Sequence, residues 1–595
     1  MKYNENRIML PFVMTTVYTV LTIWSSINSG MWESRKIIVM ASIIWIVWLT
    51  LFIVEKAKGN VITGEKIGCI VKVFFAVVIS LFCAGSVWFS GYLTLNPAGA
   101  IVNGMVHHDT VFHVTIAESI KNYGYPSLLL NDADFLHYHW GSHFILAMLS
   151  RVLNVSVFNV YNYLYPIIFI PAYSFLVMTV IVEIRKHKNE TALLSVVDYA
   201  FLSFFFIGFL PAAFLNGIGI WKSSWVISES YLFALVFFLL YILLILKTRQ
   251  SNRFGNMSAI LLTILFIVIC TAMKVSVGFL ITVGAVYINF RKNLRKTQYW
   301  IINIVFLSIF LLSYKVFSEA YGYSGFQFMS FVRHYVIRDH GYIGYIGVIP
   351  HYFFLLFFTL FVLNYQRLAN KPLRQAILSK KLLMEETLLV ISIAGLLPGM
   401  LMDIVGGSAG YFSYFQELIA ICMLLGYNIP DKLRQKILCN DVKWKINAVK
   451  FCMLLLTLFV LFNSRIDKVA KVAKIHDNMI DNRLLTNIQN VMKISRNEKI
   501  RYGIFLENSA EIWGQYKHNA DIAVLFYPAF TGIRVLSRVY TDGYGVTDSV
   551  DCENMTGAIG LIPKLTFDEA KEEAKRKNIN RIIHFYEDKY RIMDI

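Results

Sequence analysis

Two histidine-rich clusters lie between residues 91 and 156 of this 595-residue chain. The first reads His107-His108-Asp109, then His113 and Glu118. The second is His137-Tyr138-His139-Trp140-Gly141-Ser142-His143, preceded by Asp132 and Asp134. Together they hold six of the 13 histidines, more than a connecting loop needs. Three kinds of chemistry suit these residues. An ionised Asp109 can take the proton of an attacking hydroxyl as a general base. Asp109 and His113, at i and i+4, share one helix face and with His139 could ligate a divalent ion; His137 and His143 are further donors, although the spacing matches no recognised zinc pattern. The third reading is a solvated loop whose imidazoles cap helices and bond carbonyls.

Other candidates lie further along the chain. Lys274 ends an apolar run beside Ser276 and Gly278, and Arg333, His334, Arg338 and His340 form a basic run. Cations of this kind stabilise a phosphate; their ordinary roles are a snorkelling lysine and a solvated face. Tyr138, Trp140, Trp221 and Trp225 offer flat apolar surfaces to sugar rings, or form an interfacial belt. Asp198, Asp403 and Glu417 are acids in or beside apolar runs, where carboxylates line cavities or cap helices.

The elements that must position these residues are membrane spans. The chain is 57% hydrophobic and only 16% charged, with a mean hydropathy of +0.56. Apolar runs fall near 8–27, 37–54, 67–90, 157–182, 192–215, 230–246, 257–272, 275–290, 298–318, 350–364, 387–404, 412–428 and 449–463, which predicts about thirteen spans. Basic residues fill alternate loops: Arg185, Lys186 and Lys188; Lys247, Arg249 and Arg253; Arg291, Lys292, Arg295 and Lys296; then 367–381 and 432–445. These loops are expected in the cytoplasm, and the net charge of +18 reflects them; no basic stripe points to nucleic acid. The seven cysteines form no disulfide or CxxC pattern.

The expected layout is an all-α polytopic membrane protein with a small α/β extracytoplasmic C-terminal domain. The N-terminus is placed in the cytoplasm, and loop 91–156, loop 319–349 and residues 465–595 outside. Residues 1–66 form a helical hairpin, 67–464 the transmembrane core and 465–595 the C-terminal domain. Asp109 to Ile120 and residues 142–153 read as two amphipathic helices on the membrane surface, broken by Gly124-Tyr125-Pro126. In the last region, Ile500 to Leu506, Ile522 to Tyr527, and Ile582, Ile583 and Phe585 read as strands. Thr566 with Glu569 makes a capping box opening a charged helix to about Lys577.

The run His108-Asp109-Thr110-Val111-Phe112-His113, then Glu118-Ser119, Gly124-Tyr125-Pro126 and His137-Tyr138-His139-Trp140-Gly141, resembles the first external loop of bacterial GT-C glycosyltransferases. The resemblance covers that loop and the layout of about residues 67–470. It departs from the family in placing the loop after the third span and in showing a single Asp where many relatives have paired acids. It implies a GT-C-like fold of the plasma membrane that transfers sugar from a polyprenyl-phosphate donor to a cell-envelope glycan, lipid or protein. Asp109 is then the base. Lys274, Arg333 and Arg338 meet the donor phosphate, and His113, His137, His139 and Trp140 contact sugar or acceptor. No cofactor is required by this reading; a divalent ion on Asp109, His113 and His139 is the optional one. The alternatives are a flippase of lipid-linked oligosaccharide, which should show repeat symmetry that the sequence lacks, and a polysaccharide polymerase or ligase.

The topology yields a direct expectation. Cysteines introduced near residues 130 and 540 should react with an impermeant thiol reagent in intact cells, and those near 293 and 436 should not. Labelling near 436 would overturn the span count.

Overall fold

The computed structural model describes residues 108–130, 138–187, 194–207, 228–250, 257–292, 296–318, 323–328, 382–404, 415–428, 501–506, 525–536, 565–586 and 589–595, with isolated residues between them. The expected hairpin over 1–66, the spans over 350–364 and 449–463, and His137, Trp221, Trp225, Arg333 and Arg338 lie outside the described residues.

The loop helices form as α1 (His108–Tyr123) and α2 (Gly141–Leu153). Gly124 ends α1 with φ 84°, a left-handed value that favours glycine. The apolar runs become α3 (Tyr165–His187), α4 (Val196–Ile207), α5 (Glu229–Gln250), α6 (Met257–Met273), α7 (Val275–Lys292), α8 (Thr297–Ser318), α9 (Leu383–Leu401) and α10 (Phe415–Gly426). Two boundaries differ from expectation. The run from residue 157 starts with one turn, Val157–Asn159, capped by Ser156, and a π turn, Val160–Leu164. Regular α-helix begins at Tyr165, with Pro166 in the first turn where its missing N–H costs nothing. The run to 404 leaves helix at Leu401; strand β2 (Met402–Ile404) then pairs antiparallel with β1 (Tyr323–Phe326).

Side-chain contacts fix the helix directions. Phe169 and Phe233 meet near the starts of α3 and α5, with ring centroids 3.7 Å apart. Cys270 Sγ, near the end of α6, lies 3.8 Å from the Ala234 carbonyl near the start of α5. Phe290 near the end of α7 meets Trp300 near the start of α8 at 5.1 Å. One end of the bundle therefore gathers the starts of α3, α5 and α7 and the finishes of α6 and α8.

The opposite end is fastened by charge. Arg185 and Asp198, both fully buried, pair at 2.7 Å, and Arg185 Nε donates to the Leu425 carbonyl in α10 at 2.8 Å. Asp198 accepts from Ser195 N–H at 2.6 Å while Ser195 Oγ accepts from Asp198 N–H at 3.3 Å, closing a capping box on α4. Arg291 meets Glu386 at two points, 2.6 and 3.1 Å. Arg185 is thus not the solvated loop cation its place after an apolar run suggested, because α4 and α10 cover it.

Among the described residues two helices, over Glu229–Leu246 and Thr297–Phe317, are long and apolar enough to cross a membrane, and the second has only 17% of its residues buried. Ile301, Ile304, Leu307, Leu311 and Leu312 of α8 and Leu261 and Leu265 of α6 face outward. Such a surface is costly in water and suits hydrocarbon.

The C-terminal part forms a four-stranded sheet of order β4-β3-β5-β6: β3 (Tyr502–Leu506), β4 (Arg534–Val535), β5 (Arg581–Tyr586) and β6 (Lys589–Asp594). β3 runs parallel to β4 and β5, and β6 antiparallel to β5. Alternation divides the sheet. Phe505, Leu536 and Ile582 pack with Ala570 and Ala574 of α12 (Phe567–Arg576), whose capping box forms as expected from Thr566 and Glu569. Ile504, Leu506, Val535, Ile583 and Phe585 belong to the main core. The described end of the strand expected over Ile522 to Tyr527 is corrected: α11 (Phe526–Thr531) is a short helix, and residues 522–524 lie outside the described residues. Pro528 fits its first turn and Gly532 caps it with φ 65°.

The sheet and α11 seat on α1. Val535 N–H donates to the Leu129 carbonyl at 2.8 Å, and Leu130 bridges Val535 in parallel, adding the loop to the sheet edge. Asn122 Nδ2 reaches the Gly532 carbonyl at 3.3 Å, Arg534 bonds Tyr125 Oη, and Phe530 meets Phe158 at 4.7 Å. Residues 110–120 of α1 are consequently buried on all sides. α1 is a core helix and not the surface-lying amphipathic helix that was expected.

Breaking the Arg185–Asp198 pair should be costly. Arg185→Met should lower stability by about 3–5 kcal/mol, read as a lower unfolding temperature in detergent. Adding Asp198→Leu should recover part of the loss, the remainder reflecting the α4 cap. A single variant as stable as wild type would show that the pair is not buried.

Candidate functional site

At the end of the bundle away from Arg185, four elements bring polar side chains together. α1 supplies His113, the approach to α2 supplies Tyr138, His139 and Trp140, and the first turn of α2 supplies His143. The first turn of α5 supplies Glu229, and the junction of α6 with α7 supplies Lys274. His113 Nδ1 lies 2.8 Å from His143 Nε2 and 3.4 Å from Glu229 Oε1, and His143 Nε2 is 3.8 Å from the same oxygen. Tyr161 Oη donates to Glu229 Oε2 at 3.5 Å, and Lys274 Nζ lies 3.3 Å from His139 Nε2. All these residues are buried except Trp140, which is half-buried.

Close approach of the backbone makes this possible. The chain bends sharply at Lys274, whose N–H donates to the Cys270 carbonyl at 2.7 Å and whose carbonyl accepts from Gly278 N–H at 3.2 Å. A Cβ on Gly278 would lie 2.8 Å from Thr271 Cα, so only glycine allows the corner. Gly141 does the same for α2: its added Cβ would lie 2.9 Å from the Ala272 backbone. The start of α2 therefore rests directly on the end of α6, which places His139 over Lys274. Tyr138 stacks on His139 with centroids 4.0 Å apart, and Trp140 packs against Phe317 of α8 at 4.9 Å.

Burial governs the protonation of the imidazoles. His143 is pushed down to about 3, chiefly by burial, then by the neighbouring His113, with Glu229 pulling the other way. His139 is held well below the usual histidine range by burial, then by Lys274, His143 and His113. Both are neutral at pH 7. Neutral His139 accepts at Nε2 from the Lys274 ammonium, since a lysine only donates, so its own N–H is on Nδ1.

Glu118 ties α1 to the turn that follows α2. Its Oε1 accepts from Val157 N–H at 3.1 Å and its Oε2 from Asn122 at 3.3 Å. Burial raises its carboxyl above the usual range, against the pull of Lys121, the Val157 N–H and Asn122. Asp109 lies in the described start of α1, one turn before His113, and its side chain lies outside the described residues. Asp403 falls on β2, opposite Gly325, and Glu417 on α10. His113 and His139 come to one site but with different partners: His113 joins His143 and Glu229, and His139 joins Lys274. Glu229 was missed by sequence reasoning. Its signal was an acid in Ser228-Glu229-Ser230, opening a long apolar run.

No protein-family model matches the chain, and no curated protein matches it. A solved structure of archaeal oligosaccharyltransferase AglB from Archaeoglobus fulgidus, in complex with an inhibitory peptide and a dolichol-phosphate, is similar over 86% of this chain and 69% of its own, at 12% identity and a TM-score of 0.37. At that score the likeness carries no weight for fold or function.

The seat of α2 on α6 is testable. Gly141→Ala should overpack the junction at a cost of about 1–3 kcal/mol, lowering the unfolding temperature in detergent. Val152→Ala, on the same helix at a site 80% exposed, should change stability by less than about 0.5 kcal/mol. Equal unfolding temperatures for Gly141→Ala and wild type would show that α2 does not rest on Ala272.

Proposed function

We propose that the protein is a membrane glycosyltransferase of GT-C type that moves a sugar from a polyprenyl-phosphate donor to a cell-envelope glycan, lipid or protein. The observation that carries this reading is the meeting of Lys274 with His139, a residue of the loop motif that resembles the family, at one end of an apolar bundle. Lys274 Nζ stands 3.3 Å from His139 Nε2, and a lysine cation is a donor suited to an anion. A phosphate at a lipid–water boundary is the anion that such a position suits.

In this reading Lys274, with Arg333 and Arg338, stabilises the donor phosphate as it leaves. His113, His137, His139 and Trp140 line the sugar and acceptor side. Asp109 removes the proton from the acceptor hydroxyl as its oxygen attacks the anomeric carbon. Residues 465–595 form the extracytoplasmic domain behind this loop.

The test is sugar transfer from a synthetic polyprenyl-phosphate donor by purified protein in nanodiscs. Asp109→Asn should lower turnover by roughly a hundredfold to ten-thousandfold while the protein still inserts. Lys274→Met, Arg333→Ala and Arg338→Ala should each weaken donor use more than acceptor use, by about 1.5–3 kcal/mol. Near-normal turnover in Asp109→Asn with loss in Asp134→Asn would move the base along the loop. A wild-type protein that neither binds nor turns over any such donor would end the reading.

A further inference from the structure

We propose that His113, His143 and Glu229 hold a divalent ion of the zinc class where α1, α2 and α5 meet. The assignment is independent of the transferase reading and rests on geometry and ligand chemistry.

The three inward atoms all lie within 4.8 Å of one another. Their separations are 2.8, 3.4 and 3.8 Å. A tetrahedral ion with bonds of about 2.0–2.1 Å sets its ligand atoms about 3.3–3.4 Å apart. The observed separations straddle that value, so each side chain need move only by tenths of an ångström. Two imidazole nitrogens and one carboxylate oxygen form a set that suits zinc; magnesium and calcium prefer oxygens alone.

The outer contacts orient the donors. His143 Nδ1 lies 3.4 Å from Ser142 Oγ. With the N–H of neutral His143 on that side, the Nε2 lone pair faces the cluster, the arrangement common to metal-bound histidines. Tyr161 Oη holds Glu229 Oε2 at 3.5 Å, turning Oε1 toward the imidazoles. The rings of Phe112, Tyr138 and Tyr161 surround His113 at 5.4–6.0 Å and limit the entry of water. Because the donors come from three elements, the ion would tie the loop helices to a span.

The experiment uses full-length protein, purified through a tag without histidines, equilibrated with zinc and desalted. Elemental analysis should find about one zinc per chain. His143→Gln and Glu229→Gln should each bind it at least tenfold more weakly, whereas Asp109→Asn and His139→Gln should keep it. Tyr161→Phe should weaken binding on the order of tenfold. Chelation should lower the unfolding temperature of the wild type, and zinc should restore it; this arm decides the matter if the ligand variants do not fold. A wild-type chain without bound zinc, or His143→Gln and Glu229→Gln variants with a full complement, overturns the assignment. So does zinc lost from Asp109→Asn and His139→Gln but kept by the other two.

Discussion

A lysine, a glutamate and three histidines buried at one end of an apolar bundle need polar partners close by, because lipid supplies none. That constraint explains the loop layer. His139 must reach Lys274 at a bend where α6 gives way to α7, so α2 has to start against Ala272, and glycine at 141 is what permits the contact. His113 and His143 must reach Glu229 at the start of α5, so α1 and α2 must lie side by side over it. The loop is placed by polar contacts at the helix ends as much as by its own apolar residues.

The two ends of the bundle solve the same burial problem differently. At one end Arg185 with Asp198 and Arg291 with Glu386 match opposite charges at 2.6–2.7 Å. This is a fastening: charge is neutralised and helices are held together. At the other end Lys274 faces a neutral imidazole, and a carboxylate lies among imidazoles. Imidazoles are groups that can also serve a bound ion, and they stand at the end where the histidine-rich loop lies.

What could be read from sequence divides by the range of the contacts involved. Thr566 and Glu569 announced their helix because a capping box closes within one turn. The strand through Ile582 and Phe585 was equally local. Ile522 to Tyr527 misled because its apolar residues resemble a strand, whereas Pro528 and Gly532, the helix signals, lie at and beyond its edge. Arg185 looked like a loop cation because the segments that bury it, around Asp198 and Leu425, come later in the chain. The amphipathic reading of α1 failed for the same reason. Its outer face is covered by α11, some 410 positions away, as in the contact of Thr115 with the Leu525 carbonyl. The site followed this pattern: the histidines were visible as a cluster, but their division between Glu229 and Lys274 depends on distant helices.

That distant cover links the C-terminal sheet to the chemistry of the loop. Polar side chains of α1 such as Thr115 and Ser119 are satisfied within the fold, by the Val111 and Tyr125 carbonyls, so the helix can be buried between the sheet and α2. A helix held on both sides has little freedom to roll, and rolling is the motion that would carry His113 away from Glu229. The seam at Leu129–Val535 and Asn122–Gly532 therefore fixes the rotation of α1, and with it the direction in which His113 leaves the helix. The sheet thus acts on the site through this helix.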